Sequence, residues 1–315
     1  MVNVFIANTD NSWFDFLSAE KNLTEVNFWW PGQQNFAAIE PGEMMVFRLK
    51  SPRDQIGGFG IFSGHSRLPI QTAWDAFGRA NGTASLEGLR SAIARLRTNI
   101  TVQPSTDIGC TILVEPVFFP RDLWFDLPPS WVSSIQRGKR YSTEGPEGLE
   151  LWNQLIERAQ LTGVVQRSGI DERPQAPFDV LQARFGAPTI ITPRLGQGAF
   201  RVAVTEAYGR RCAITDGKVL PALDAAHIKP YGEGGLHMKS NGVLLRKDIH
   251  SVFDAGYVTI DRDFRFRVSK KVRETFNNGE EYLRLDGKEL RRPNHKADWP
   301  EIELLKRHNE FRFLG

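Results

Sequence analysis

The stretch of residues 211–260 constrains the fold more than any other part of the chain. An apolar run of strand length, 223–228, carries His227 and is followed by a glycine-rich loop. An Asn-Gly pair at 241–242 marks a turn, and a second apolar run, 243–245, comes directly after it. The order of strand, loop, turn and strand predicts a β-hairpin.

A short helix is expected directly after this hairpin. Apolar and polar residues recur at helical spacing from Ile249, and Asp248 is placed to cap the first turn. His250 and Asp254 are one helical turn apart, so they share a face. The stretch therefore predicts a hairpin that ends in a helix, with His227 on a strand and His250 on the helix.

This arrangement resembles the HNH nucleases and their ββα-metal fold. The resemblance is carried by Ala-Ala-His-Ile, Asn-Gly-Val-Leu-Leu-Arg, Asp-Ile-His and Phe-Asp-Ala-Gly, linked over about fifty residues. It implies that His227 is the general base, that Asn241 braces the loop and aims that base, and that His250 is a metal ligand. The chemistry agrees, because phosphodiester hydrolysis needs a deprotonated water and positive charge near the departing oxygen. A neutral imidazole suits the base, since its ordinary pKa lies near working pH.

The second ligand of the metal is an open choice between two carboxylates. Many HNH proteins have a ligating residue directly before the base, but Ala226 occupies that position here and cannot bind a metal. Asp224 is the nearest carboxylate upstream and Asp254 the nearest on the helix, and we expect Asp224. Oxygen and imidazole ligands with open water positions favour one Mg²⁺ or Mn²⁺ ion per active site.

Each of these residues also has an ordinary structural explanation. A histidine in an apolar strand, such as His227, is more often a hydrogen-bonded core residue, and His250 alone fits a helix surface. Asn241 alone is a turn residue. The ordered combination favours the nuclease over these separate explanations. His237, in the loop between the motifs, is expected to be an unremarkable loop residue rather than a phosphate contact.

The first half of the chain predicts several short strands, among them 44–50, 56–63 and 108–119, with helices such as 85–98 between them. Many short strands and turns favour a small curved β-barrel with helices outside. This half resembles the PUA superfamily, especially the EVE-type domains. The resemblance is carried by Asn-Thr-Asp at 8–10, Glu-Val-Asn-Phe-Trp at 25–29, Pro-Gly-Glu at 41–43, Phe-Arg-Leu-Lys at 47–50 and Gly-Gly-Phe-Gly at 57–60.

The resemblance to PUA-like domains implies a pocket that holds a flipped, modified base between aromatic walls. An aromatic pocket can offset the few kcal/mol lost when a base leaves its stack. Core packing is the competing explanation for every aromatic residue in this half. Successive strand residues point to opposite faces, so of Trp29 and Trp30 we expect only the second in the pocket. The expected pocket residues are Trp30, Trp13, Phe62 and Trp74.

Charge and cysteine usage narrow the class of protein further. Residues 179–315 hold 24 Lys and Arg against 18 Asp and Glu, while the rest holds 16 against 19. The motif-bearing half is thus the basic one, which fits a polyanionic partner. The cysteines, Cys110 and Cys212, form no CxxC pair, so neither a structural zinc site nor a disulfide framework is expected.

Arginines expected on the DNA backbone are Arg194, Arg201 and Arg246.

The sequence as a whole predicts an α+β protein. A PUA/EVE-like curved β-barrel with flanking helices would occupy 1–165, a Pro-containing linker 166–178, and a ββα-metal HNH nuclease domain 179–315. The expected function is a modification-dependent restriction endonuclease that recognises 5-methylcytosine or 5-hydroxymethylcytosine in double-stranded DNA. A nuclease that senses RNA or a small nucleotide, and a non-cleaving DNA reader, are the alternatives. A cytoplasmic location without signal peptide or membrane span, and a homodimer or transient dimer on DNA, are also expected.

Overall fold

A computed structural model describes residues 2–32, 35–97, 101–167 and 195–315. The chain divides into two compact units, Met1–Arg194 and Leu195–Gly315. Nearly all of the expected linker, and the expected start of the second domain at 179, lie outside the described residues. Those two boundaries therefore stay predictions. Both units contain helices and antiparallel strand pairs, so the α+β class expected from the sequence is confirmed.

The first unit is built on one mixed sheet, which has seven strands within the described residues. The strands follow the order β2-β5-β4-β3-β1-β7, and β6 pairs with β4. The pair β1–β3 is parallel, whereas the other pairs are antiparallel. The strands are β1 (Asn3–Thr9), β2 (Glu25–Trp30), β3 (Met44–Leu49), β4 (Gln55–Pro69), β5 (Asp107–Phe118), β6 (Phe125–Asp126) and β7 (Gly138–Ser142).

The long strand β4 gives this sheet its curvature. Its pairing with β5 shifts register between Phe59 and Ile61 and again between Phe62 and Gly64. Such bulges bend a strand and increase its twist. Gly58 lies where a Cβ would meet the Val117 carbonyl oxygen at 2.1 Å, so a side chain there would displace the neighbouring strand. The glycine-rich run is therefore a strand, as expected, and it continues six residues further than the sequence indicated.

Helices flank the sheet of the first unit. Asp10 caps the first of them by accepting hydrogen bonds from the backbone N–H groups of Ser12 and Trp13. This helix packs aromatic side chains against the sheet, where Phe14 meets Phe118 edge-on with ring centroids 5.3 Å apart. The helices are α1 (Asn11–Ser18), α2 (Ile70–Phe77), α3 (Leu86–Leu96) and α4 (Pro146–Arg167).

The second unit contains the predicted hairpin and helix. Strands β8 (Leu223–His227) and β9 (Gly242–Arg246) pair antiparallel, and helix α6 (Lys247–Asp254) begins directly after β9. Helix α5 (Gln197–Ala207) precedes them. A second antiparallel pair, β10 (Val258–Ile260) and β11 (Phe266–Val268), follows. The unit is completed by α7 (Lys271–Phe276), α8 (Glu280–Leu283) and α9 (Ile302–Phe311).

The start of α6 differs from the sequence prediction. Arg246 occupies the N-cap position, and Asp248, expected to be the cap, lies in the first turn. The Asp248 carboxylate instead accepts two hydrogen bonds from the Arg246 guanidinium, at 2.9 and 2.5 Å. The charged guanidinium is the stronger donor for a carboxylate, which explains why the cap is lost. Ile249 and Phe253 are fully buried and fix the helix on the hairpin.

The two cysteines, Cys110 and Cys212, are buried free thiols. Across the described ranges, no helix combines the length and the apolar character that crossing a membrane would require.

Candidate active site

The hairpin sets the position of His227. This residue ends β8 and pairs with Gly242, the first residue of β9. A Cβ on Gly242 would lie 2.4 Å from the Val204 side chain and 2.9 Å from the Phe200 ring. The glycine of the Asn-Gly pair is therefore needed because α5 packs closely on β9, and this packing places Phe200 beside His227.

The His227 ring is half-buried between two aromatic neighbours. Phe200 stacks on it with ring centroids 3.8 Å apart and planes at 15°. Its Nε2 forms a hydrogen bond of 2.9 Å with Nδ1 of His237. Burial, followed by the charges of His237 and His250, lowers the pKa of His227 to about 4. The imidazole is consequently neutral at neutral pH, which is the form that can accept a proton from water.

His250 lies between two carboxylates. Its Nδ1 is 3.2 Å from Oδ2 of Asp224 on β8, and its Nε2 is 3.2 Å from Oδ2 of Asp254 at the end of α6. Burial acts to lower the pKa of His250, but the hydrogen bonds and charges of these carboxylates together raise it to about 9. Both ring nitrogens are therefore aimed at oxygen ligands, and the ring carries a proton that a cation would have to replace.

Asp224 also faces a positive side chain from α5. The Nε of Arg201 lies 3.4 Å from Oδ1 of Asp224. Burial acts to raise the pKa of Asp224, but the hydrogen bond to His250 and the charge of Arg201 hold it below its ordinary value. Asp224 thus stays an anion at neutral pH, with one oxygen toward His250 and the other toward Arg201.

This donor set fits a divalent cation. The cluster supplies one imidazole with a carboxylate at each of its ring nitrogens. Mg²⁺ or Mn²⁺ is commonly held by one or two carboxylates together with water. Among the described residues no group of three His, Cys, Asp or Glu side chains has the geometry of a preformed metal site. His250 together with Asp224, or His250 together with Asp254, would hold the ion after displacement of a ring proton of His250.

Asn241 lies at the foot of the loop that joins β8 to β9. Its side chain, 2% exposed, donates hydrogen bonds to the carbonyl oxygens of Lys229 and Leu236 and accepts one from the Lys229 N–H, each at 2.9 Å. Its own carbonyl accepts the N–H of Ile228 at 2.9 Å. One amide therefore ties the beginning of the loop to the segment that carries His237.

The three arginines expected on DNA are placed differently from one another. Arg201 lies in the cluster, through its contact with Asp224. Arg246 is half-buried and paired with Asp248. Arg194 lies outside the described residues. No sequence pattern indicated the contacts of Phe200 and His237 with His227, since both depend on how α5 and the loop pack.

The first unit contains an aromatic cavity of about 700 Å³. Trp13 and Trp30 line it, and the Trp30 ring lies nearly parallel to Phe36, at 23° with centroids 6.2 Å apart. Phe62 and Trp74 are not among the lining residues: Phe62 is 4% exposed within the core, and Trp74 lies on α2. The structure thus brings together two of the four aromatic residues expected in a base pocket. Trp29, which was expected to point away from the pocket, is also among the lining residues, so that expectation was wrong.

Comparison with known proteins agrees with the geometry of the second unit. Residues 212–261 match the HNH endonuclease family. No curated protein matches the chain. Among solved structures, ASCH from Zymomonas mobilis, a PUA-like domain, is similar at 10% identity and a TM-score of 0.35, covering 48% of this chain and 94% of that one. A modification-dependent restriction endonuclease, TagI, is similar at 12% identity and a TM-score of 0.29. The match covers 98% of this chain and 81% of that one.

The hairpin, the helix and the two histidines all lie within residues 212–261, the segment that matches the HNH endonuclease family. The second unit therefore contains an HNH endonuclease domain.

Proposed function

We propose that the protein is a modification-dependent restriction endonuclease that hydrolyses DNA with the His227–His250 cluster. The observation that carries the nuclease chemistry is a neutral, half-buried His227 beside a histidine held between two carboxylates. A base and a cation-binding group within one small cluster are what phosphodiester hydrolysis requires. HNH nucleases depend on a divalent cation, and Mg²⁺ or Mn²⁺ is the proposed ion.

His227 takes the proton of the attacking water in this mechanism. Phe200 stacks on one face of the ring and limits its rotation, so the accepting nitrogen keeps one direction. His250, with Asp224 or Asp254, would hold the cation, and the bound cation would supply the positive charge that stabilises the departing oxygen. Arg201 and the backbone N–H of Ala225 hold the Oδ1 oxygen of Asp224, and Asn241 keeps the loop closed. Two cuts in a duplex need two active sites, so a homodimer or a transient pair on DNA is proposed.

The first unit is proposed to read a modified cytosine, 5-methylcytosine or 5-hydroxymethylcytosine. Its cavity has the size of a small-molecule site, which typically measures about 300–1,000 Å³. Trp30 is fixed by an indole hydrogen bond of 2.9 Å to the Thr111 hydroxyl, and Asn8 and Asp10 add polar groups to the lining. Aromatic walls stabilise a base that has left its stack, and the polar groups can bind its edge.

The experiment is digestion of matched DNAs that carry cytosine, 5-methylcytosine, 5-hydroxymethylcytosine or 6-methyladenine. We expect cleavage only of DNA with modified cytosine. His227→Ala should lower nicking by at least about 100-fold, because it removes the general base, while DNA binding stays unchanged. Trp30→Ala should retain nicking and lose selectivity, and Trp74→Ala, which alters a tryptophan outside the cavity, should keep both.

Two outcomes would contradict this function. Equal cleavage of all four DNAs by the unaltered protein would show that the first unit does not recognise modified cytosine, while the nuclease activity itself would still stand. Full nicking by His227→Ala would reject the active site. Stimulation of DNA cleavage by RNA or by a free nucleotide would transfer the sensing role of the first unit to that ligand.

A further inference from the structure

We infer that His237 is a positioning residue that fixes the tautomer of the general base. The inference rests on the proposed function, in which His227 accepts a proton from water. His237 lies in the loop between β8 and β9, ten residues after His227, and the side chains meet through ring nitrogens only 2.9 Å apart. A hydrogen bond at this distance requires one nitrogen to carry the proton and the other to accept it.

The direction of this hydrogen bond decides whether His227 can work as a base. If His237 donates from Nδ1, a neutral His227 carries its own proton on Nδ1 and has no lone pair left for water. If His227 donates from Nε2, its Nδ1 keeps the lone pair and can take the proton. Among the described residues the contact with His237 is the one hydrogen bond of the His227 ring. The competent pair is the one in which His237 accepts this hydrogen bond and the proton is on Nε2 of His227.

Both rings are held in place for this contact. Phe200 stacks on His227 at 3.8 Å, and Tyr231 stacks on His237 at 4.4 Å with planes at 10°. Asn241 binds the carbonyl oxygen of Leu236, the residue directly before His237. The two imidazoles thus lie between two aromatic rings, and the loop segment that carries His237 is tied down.

The loop also needs one glycine to reach this position. A Cβ on Gly235 would lie 2.0 Å from the Lys229 carbonyl oxygen, so the chain passes too close to Lys229 for any side chain there. This close approach, two residues before His237, brings the loop back over the start of the hairpin. The sequence Gly-Gly-Leu-His is therefore what allows an imidazole from the loop to meet the imidazole at the end of β8.

The proton balance follows from this arrangement. The water proton passes to Nδ1 of His227, and the water oxygen forms the new bond to phosphorus. The bond between phosphorus and the 3′ oxygen breaks, and the departing oxygen takes a proton from solvent. The Nε2 proton stays on His227 and continues to be donated to His237, whose lone pair stabilises the charge formed on the His227 ring.

Two substitutions separate the hydrogen bond from the packing. His237→Asn places an amide oxygen near the position of Nδ1 and keeps an acceptor. His237→Phe keeps a ring against Tyr231 and has no acceptor. His295→Phe makes the same change at an exposed histidine of the same unit and serves as the control. Steady-state nicking of plasmid DNA that carries modified cytosine gives kcat and KM for each variant and for His227→Ala.

We expect His237→Phe to lower kcat by roughly 10–100-fold, the usual cost of losing a group that orients a catalytic side chain. KM should stay within about two-fold, because substrate contacts are unchanged. His237→Asn should restore kcat to within a few-fold of the unaltered protein, and His295→Phe should match it. Equal losses in both His237 variants, or no loss in the Phe variant, would overturn the inference.

A second readout does not depend on activity. Nitrogen-15 NMR of histidine-labelled protein distinguishes the two tautomers, and the signals of His227 are assigned by their absence in His227→Ala. The inference requires a proton on Nε2 of His227 in the unaltered protein and a mixture of tautomers in His237→Phe. A proton on Nδ1 would overturn it. Full activity in His227→Ala would instead reject the proposed base, whatever the tautomer.

Discussion

Removal of the Asn241 side chain tests how the active-site loop is held. Asn241→Ala deletes three hydrogen bonds of 2.9 Å to the backbone of Lys229 and Leu236. Each is worth about 1 kcal/mol net, so the free energy of unfolding of the second unit should fall by about 3 kcal/mol. The loop amides from 228 to 241 should exchange with solvent faster, because both ends of the loop lose their common anchor.

The same substitution should reduce cleavage. With the loop released, His237 no longer holds a fixed position against His227, and we expect plasmid nicking to fall by about 10-fold or more. Urea unfolding, hydrogen–deuterium exchange of the 228–241 peptides and nicking assays measure the three effects. Asn294→Ala, at an exposed asparagine of the same unit, is the matched control and should change none of them.

Asn241→Asp sharpens the test. Its carboxylate still accepts the Lys229 N–H, but it sets a second negative oxygen against the carbonyls of Lys229 and Leu236, where the amide donated. The variant should therefore be at least as unstable as Asn241→Ala at neutral pH. If Asn241→Ala loses less than about 0.5 kcal/mol and its loop amides exchange at the normal rate, the side chain is not the anchor of this loop.

Three further predictions concern the cation and acid stability. Asp224→Asn should weaken Mn²⁺ binding by about 10-fold. Asp254→Asn should weaken it less, because Asp254 is the more exposed carboxylate. Equal losses of affinity in calorimetry would reject this ranking. Cation binding should release a proton from His250, because its pKa of about 9 means that the ring is charged at neutral pH. Binding heats that do not vary with the ionisation enthalpy of the buffer would contradict this. Burial lowers the pKa of His308 to about 4, below its ordinary value of 6.5, so the unfolded state binds more protons between these values. The contribution of His308 to the free energy of unfolding should be fully present above about pH 6.5 and fall by up to roughly 3 kcal/mol as the pH drops to 4. In urea unfolding, His308→Phe should reduce this dependence on pH. An unchanged dependence would exclude His308 as its cause.

The positions of His227 and His250 were predictable because the hairpin and helix are local structures. The apolar run at 223–228 and the turn at 241–242 predict the strands, and helical spacing predicts α6. Thus the elements that carry both histidines lie close to their expected limits.

Contacts that depend on tertiary packing were not predictable. His237 was expected to be an unremarkable loop residue, yet it forms a hydrogen bond with His227. Its position depends on Gly235 passing close to Lys229, and no periodicity in the sequence reports such an approach. In the first unit, four tryptophan and phenylalanine residues were expected around one cavity, but two of them lie elsewhere. Aromatic side chains fill cores and line pockets alike, so composition does not separate the two.

The junction between β9 and α6 contains no spare residue: the strand ends at Arg246 and the helix starts at Lys247. Each residue inserted there would rotate the helix by about 100° and turn His250 away from Asp224. The loop of residues 228–241 is less restricted at its outer turn, where Gly232 is exposed and a Cβ on it would meet nothing within 4 Å. Natural variation in length among proteins built on this hairpin should therefore accumulate in that turn, while the strand-to-helix step keeps a constant number of residues.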